Sequence, residues 1–353
     1  MRTTLCITIC LLLIPPVRSQ ERRLSLLFAG DAMQHLPQID GARQEDGSYH
    51  YDSCFYLLKE KIQRVDLAGV NFETTLGGKP YSGYPLFSAP DAFAQSLRDV
   101  GFDLFFLANN HALDRRSGGL ERTIQQLDSL GIRHTGTFTD PEKRSLYYPL
   151  MVICNGIRIA FLNYSYDTNG IPVREPNVVN LIDSLQILQD LELTRLYKPD
   201  IMIVQLHWGE EYRTTPSPQQ QRIAGLLLQN GVQIIIGHHP HVVQPMVVER
   251  EDHQIRNVIY YSLGNFISNQ QRELTDGGML AEIVIHKKDE DSPAVITSCS
   301  YSLVWVERRN RGRQTRYRLI PWPDENLPPL MEADKEKMDT FVQQATDIIE
   351  NRD

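Results

Sequence analysis

The chain has 353 residues, of which 41% are hydrophobic and 23% charged, an ordinary balance for a globular protein with a large core. Its formal net charge of -8 provides no phosphate-tracking surface and argues against nucleic acid as a partner, although a bound divalent metal would reverse that sign locally. There is no internal repeat or low-complexity segment.

Residues 1–19 read as a secretory signal peptide: Arg2, an apolar run from Leu5 to Ile14, then Val17-Arg18-Ser19 ahead of Gln20. The run is too short to span a bilayer, which takes ~20 residues per helix. The expected mature protein is therefore exported and soluble, in the periplasm, the cell envelope or the medium. Removing this segment takes Arg2 and Arg18 and no acids, so the charge moves from -8 to -10. It also takes Cys6 and Cys10, leaving Cys54, Cys154 and Cys299, which can form at most one disulfide and are expected to be buried small hydrophobes.

From Leu24 one pattern repeats: a short apolar run, a polar cluster at its end, then a helix-like amphipathic stretch. This is the signature of an α/β fold. The first run, Leu24 to Ala29, ends in Gly30-Asp31-Ala32-Met33; the second, Val65 to Val70, ends in Asn71-Phe72-Glu73. The third, Phe102 to Ala108, ends in Asn109-Asn110-His111-Ala112-Leu113-Asp114, with a helix following to Leu130. Tyr147 to Cys154 and Arg158 to Asn163 form a hairpin about Asn155-Gly156 that extends a sheet. The fourth run, Ile201 to Leu206, ends in His207-Trp208-Gly209-Glu210-Glu211, and the fifth, Val232 to Ile236, in Gly237-His238-His239-Pro240-His241.

Beyond these, Val242 to Glu249, Asn257 to Ser262, Gly278 to His286 and Val295 to Val306 read as successive antiparallel strands of a second sheet packed on the first. Residues 22–323 thus form one domain. Residues 324–353 are a proline-bearing linker and an acidic amphipathic helix, Met331 to Ile349, that packs on the outside.

Ligands of open α/β sheets sit outside the carboxyl ends of the strands. Five strand ends that supply Asp31, Glu73, Asn110-His111, His207 and His239/His241 therefore predict one site. Carboxylates, an amide and imidazoles without thiolates suit Mn, Zn or Fe. In an extended segment His239 and His241 point to one side, while His238 faces away and is expected to be replaceable.

Plainer readings stay open for the individual residues. The histidines after Gly237 also fit a polar turn rigidified by Pro240. His111 also fits a position beside a helix cap, and His207 a histidine packed on Trp208. Glu211 is either a partner that fixes a ligand imidazole or a charged loop residue. Arg115 and Arg116 either hold an anionic substrate or are solvated, and the loop Tyr81 to Phe87 is either a substrate rim or a segment tucked on the core. Asn265 is the candidate of the Tyr261–Phe266 stretch for facing the site. No Gly-x-Ser-x-Gly elbow, phosphate loop or Cys-x-x-Cys pair offers a rival chemistry.

The clusters Gly30-Asp31-x-Met33, Asn71-x-Glu73, Ala108-Asn109-Asn110-His111-x-x-Asp114, His207-Trp208-Gly209-x-Glu211-Tyr212, Gly237-x-His239-Pro240-His241 and Tyr261-Ser262-Leu263-Gly264-Asn265-Phe266 carry a resemblance. In this order, over Ser25 to Phe266, the chain resembles the CapA or poly-γ-glutamate capsule synthesis family, related in fold to calcineurin-like metallophosphoesterases. The resemblance implies a four-layer αββα sandwich of two mixed β-sheets flanked by helices. It implies two divalent metal ions, one held by Asp31 and His241, the other by Asn110, His207 and His239, with Glu73 bridging. It makes His111 the general acid, and Asp114 the residue that orients it.

This chain has Asp31-Ala32-Met33 where the phosphoesterases have Asp-x-His, which removes an imidazole that His35 is placed to replace; Glu73 stands where they have an aspartate. The expected function is hydrolysis by metal-activated water, with His111 protonating the leaving group. An anionic envelope or capsule polymer, or a small molecule, is the substrate, and Arg115, Glu211 and Asn265 contact it. The alternatives are a non-catalytic accessory that works with capsule-assembly membrane proteins, and a phosphatase or phosphodiesterase of a small phosphorylated substrate.

Overall fold

The computed structural model describes residues 21–350 except 313, 325, 326 and 328; the predicted signal peptide and part of the predicted linker lie outside the described residues. The strands are β1 (Arg22–Ala32), β2 (Leu67–Phe72), β3 (Leu104–Phe106), β4 (Arg133–Thr135), β5 (Thr137–Phe138), β6 (Leu150–Cys154), β7 (Ile157–Ser165) and β8 (Val178–Val179). They continue as β9 (Ile201–His207), β10 (Ile234–His238), β11 (Met246–Glu251), β12 (Gln254–Tyr260), β13 (Asn265–Ile267), β14 (Gly277–Lys287), β15 (Ala294–Arg311) and β16 (Gln314–Trp322).

One mixed sheet runs β4-β3-β2-β1-β14-β15-β16, with β13 on the end of β1; a second runs β11-β12-β10-β9-β7-β6. A single register pair between β12 and β15, Ile255 with Ile296, joins them at one corner. The alternation of side chains along each strand shows how the layers stack. Leu24, Leu26 and Phe28 of β1 share a core with Ile159 and Phe161 of β7, Ile201 and Ile203 of β9, and Ile234 and Ile236 of β10. The residues between them face the helices. Leu27 and Ala29 meet Phe93, Leu97 and Leu127, whereas Ala160, Leu162, Val204 and Ile235 meet Ile187, Leu191 and Leu227. Two helical layers thus enclose two sheets, the αββα sandwich.

The strand assignment to sheets differs from the sequence expectation. The five runs do not share one sheet: β1, β2 and β3 lie parallel in the first, β9 and β10 parallel in the second. The hairpin β6–β7 belongs to the second sheet, through the parallel pair β7–β9. The late strands β14 and β15 do not form a sheet of their own: β14 pairs antiparallel with β1 and β15 antiparallel with β14, and β16, unforeseen from sequence, closes that sheet's edge. The last helix, Glu332–Ile349, presses Met338, Phe341, Val342, Ala345 and Ile349 into the core between the sheets rather than resting on a helical face. Among the described residues no helix is long and apolar enough to cross a membrane. Cys54 is buried and Cys154 and Cys299 half-buried, all with free thiols.

Candidate metal centre

The carboxyl ends of β1, β2 and β3 meet those of β9 and β10 across the seam between the sheets. Asp31 stands at an irregularity in β1, where the register to β2 and β13 shifts. Its amide donates to the Gly264 carbonyl at 2.9 Å, an approach that needs glycine at position 30, where a Cβ would lie 2.0 Å from that oxygen. The Asp31 carboxylate then spans the seam. Oδ1 accepts from Asn71 Nδ2 at 2.8 Å, and Oδ2 meets His241 Nδ1 at 3.0 Å and the His239 amide at 3.3 Å. Burial alone would raise Asp31, but the His241 bond, aided by the nearby charge of His238, outweighs it and holds the carboxyl low.

Glu73 follows β2 and is wholly buried. Its Oε1 lies 3.7 Å from His207 Nε2, 3.8 Å from His241 Nε2 and 4.0 Å from His111 Nε2, yet neither oxygen has a hydrogen-bond partner. Burial, followed by the charges of Asp31, Glu211 and Asp114, pushes this carboxyl well above the usual range. An orphaned buried carboxylate is costly unless a cation meets it.

His207 ends β9, with Nε2 2.9 Å from Asn110 Oδ1 and Nδ1 3.3 Å from Asn71 Nδ2. Burial, reinforced by four neighbouring histidines, holds His207 far below its ordinary value. His239 is pulled down to about 3 by burial and by His241, against Asp31, and its Nδ1 is buried without a partner. The imidazoles of His207 and His239, both held below their ordinary value, with an amide oxygen and two carboxylates fit a divalent cation in the Mn, Zn or Fe class. Asp31, Glu73 and His207 offer ligand atoms all within 4.8 Å of one another, as do Glu211, His239 and His241.

The convergence of His239 and His241 has a different cause from strand alternation. β10 ends at His238, and His239 (φ 97°) and His241 (φ 59°) turn through left-handed backbone, a strain of about 1–3 kcal/mol per residue. His239 and His241 thus turn to the side that His238 already faces. His238 is buried, its Nδ1 3.6 Å from Asp31 Oδ1 and its Nε2 2.8 Å from Gln205 Oε1, so it backs the centre and does not face away.

His111 sits on a turn ahead of the helix Arg116–Ser129. Its amide bonds to Asn109 Oδ1 at 3.1 Å, so the turn-capping geometry is present alongside the site geometry. Asp114 Oδ2 lies 2.7 Å from His111 Nδ1 and also accepts from the Phe87 amide at 2.7 Å. The ring of Phe87 packs 4.5 Å from that of His111 while Tyr84 is 74% exposed, so the Tyr81–Phe87 loop is tucked in at one end and open at the other.

The remaining predicted residues divide. Glu211 reaches the histidines, and Asn265 Oδ1 lies 3.2 Å from His241 Nδ1, the nitrogen that also meets Asp31. Arg115 folds its stem against Gly77 and Gly119, and among the described residues no hydrogen bond or ion pair ties it to the histidine cluster. Arg116 is exposed. His35 is held by Gln38 and the Asn269 amide beside Phe87, not beside Asp31. Sequence reasoning gave no role to Asn71, Gln205 or the two tyrosines at the mouth. Tyr166 lies 4.4 Å from the His239 ring and Tyr212 6.1 Å from that of His241. Tyr166 directly follows a strand, as several of the ligand candidates do, which was the available signal.

The chain is 27% identical over 317 residues to the capsule biosynthesis protein CapA of Bacillus anthracis, covering 81% of this chain and 72% of that protein. It is 28% identical over 277 residues to the PGA biosynthesis protein CapA of Bacillus subtilis (strain 168), covering 75% and 68%. Among solved structures it is similar to the calcineurin-like phosphoesterase YfkN from Bacillus subtilis, at 14% identity and a TM-score of 0.46, over 92% of this chain and 98% of that one. Residues 25–270, which hold every ligand candidate described above, match the family described as bacterial capsule synthesis protein PGA_cap, and the chain belongs to that family.

Proposed function

We propose that the mature chain is an exported, divalent-metal-dependent hydrolase acting on an anionic capsule or envelope polymer. The observation that carries the metal dependence is Glu73, a buried carboxylate with no hydrogen-bond partner, surrounded by the imidazoles of His207, His241 and His111. Asp31, Glu73, Asn110, His207, His239 and His241 would hold two ions. Such ions polarise a scissile group and lower the pKa of water, so that hydrolysis proceeds near neutral pH.

The chain's own residues supply the proton and the orientation. Asp114 accepts from Nδ1–H of His111, which fixes the ring and leaves Nε2 facing Glu73, where the protonated ring can hand its proton to a leaving group. Asn71 donates to Asp31 and reaches His207, keeping donors from both sheets in register. The polymer substrate is supported by the capsule-synthesis family and by the names of the Bacillus relatives. γ-Glutamyl amides and phosphoesters are the candidate bonds. Export is supported by the pattern of residues 1–19.

The test is turnover of γ-glutamyl peptides and of a generic phosphodiester by the mature chain loaded with Mn or Zn, beside His207→Ala. Turnover by the wild type alone is expected. Metal binding without turnover of any substrate would instead favour an accessory role in capsule assembly, a reading that the buried thioether of Met33 at an expected ligand position also supports.

A further inference from the structure

We propose that Glu211 is itself a metal ligand, forming with His239 and His241 a cation site at the mouth of the centre. This rests on the metal reading above but not on any particular reaction. The three residues bring their ligand atoms within 4.8 Å of one another, a group separate from that of Asp31, Glu73 and His207. The independent mark is His239 Nδ1, a buried nitrogen without a hydrogen-bond partner on a residue only 3% exposed.

The backbone explains why Glu211 arrives there. After β9 the chain turns through Gly209 (φ 92°) and Tyr212 (φ 64°). Two main-chain bonds then lock this turn onto the one after β10: Trp208 N donates to the His238 carbonyl at 3.1 Å and Tyr212 N to the Pro240 carbonyl at 2.8 Å. Trp208 Nε1 adds a third tie, to the Tyr261 carbonyl at 2.9 Å. Residue 211 is thus held between two anchored neighbours, with its side chain beside the imidazoles. At Gly209 a Cβ would lie 2.6 Å from Gln220 Oε1, so the turn is built for glycine.

The donor count also calls for it. Strand β1 contributes Asp31 alone, because Met33 is buried and a thioether is a poor ligand for hard divalent ions. A carboxylate from the turn after β9 supplies the missing donor, and two imidazoles with one carboxylate form a set suited to Mn, Zn or Fe. Glu211 is exposed where the histidines are buried, so it is the outermost ligand and the first that an entering ion meets.

The experiment is titration of the metal-free mature chain with Mn alone, by calorimetry and by elemental analysis after desalting, for the wild type, Glu211→Gln and Glu210→Gln. Glu210 is on the same turn, 3.5 Å from Arg213, and serves as the control. The Mn resonance spectrum of each gives a second readout. Glu211→Gln is expected to lose one equivalent, or to bind it on the order of tenfold more weakly, with an altered Mn signal and an unchanged melting temperature in the absence of metal. Glu210→Gln is expected to match the wild type. If Glu211→Gln binds as many equivalents as the wild type, equally tightly and with the same signal, Glu211 is no ligand even though the centre binds metal. If the wild type binds no Mn, this proposal and the metal reading fall together, whereas absent turnover alone leaves this proposal standing.

Discussion

His238 places its Nε2 2.8 Å from Gln205 Oε1 and its Nδ1 3.6 Å from Asp31 Oδ1, so a residue expected on the far side of its strand stands directly behind Asp31. The ring is buried, and burial, opposed by the charge of Asp31, lowers it to about 4, so it is neutral at physiological pH. His238→Ala would leave a cavity, strip Gln205 of its partner and loosen the support of Asp31. We expect a loss of about 2–4 kcal/mol in unfolding free energy together with weaker metal binding. Urea unfolding with and without Mn measures both, and wild-type values in each would show the ring to be dispensable.

In the proposed hydrolase Asp114 would act through His111, whose Nδ1 lies 2.7 Å from its Oδ2. Asp114→Asn keeps the shape and removes the carboxylate that accepts from Nδ1–H, so the ring loses its fixed tautomer. The expected outcome is a fall in kcat of about 10²- to 10⁴-fold, with a changed KM-independent pH profile and an undiminished metal content. An equal loss of metal and activity would make Asp114 part of the scaffold of the centre rather than a positioning residue.

The residues that converge at the candidate centre were legible in the sequence because each ends an apolar run, and a polar cluster at a strand exit is a local signal. What failed was whatever depends on distant pairing or on backbone beyond the strand. The direction of His238 followed from alternation, which holds only while the chain stays extended, and the left-handed turns at His239 and His241 begin one residue later. The sheet that receives β14 is decided by pairs such as Leu26 with Ile283, which no local period encodes. β16 was hidden because Arg316 and Arg318 interrupt its apolar character. Arg318 Nε in fact donates at 2.6 Å to Glu307, a wholly buried carboxylate that also accepts from Arg309 at 2.7 Å, so the charge of Arg318 is an internal partner.

Gly237 makes a packing prediction independent of chemistry. A Cβ there would lie 1.9 Å from the Tyr261 carbonyl oxygen and 2.5 Å from Trp208 Nε1, and the first of these is backbone that cannot swing aside. Gly237→Ala is expected to cost about 1–3 kcal/mol or more and to displace the histidine turn, since overpacking forces backbone shifts. The readouts are the melting temperature and Mn binding. A variant that melts and binds as the wild type would mean that the loop carrying Tyr261 can retreat at no cost.

Far from the centre, Asp200 offers a prediction with a definite pH sign. Its carboxylate accepts from the Arg158 amide at 2.8 Å and from Lys287 Nζ at 2.8 Å, and Lys287 is only 3% exposed. Burial would raise Asp200, but the Arg158 amide, followed by the side chains of Lys287 and Arg158, holds it below the usual carboxylate range. A carboxyl lowered in the folded state stabilises the fold at pH above its unfolded value of about 3.9, and that contribution is lost as pH falls through the lower folded value. Asp200→Ala also leaves the Lys287 ammonium buried without its partner, a loss of about 3–5 kcal/mol at pH 7. The gap between wild type and variant should therefore be full at pH 7 and close progressively below pH 4. Unfolding curves across that range decide the matter, and a gap that stays constant down to pH 2 would mean that packing, not charge, is what Asp200 contributes.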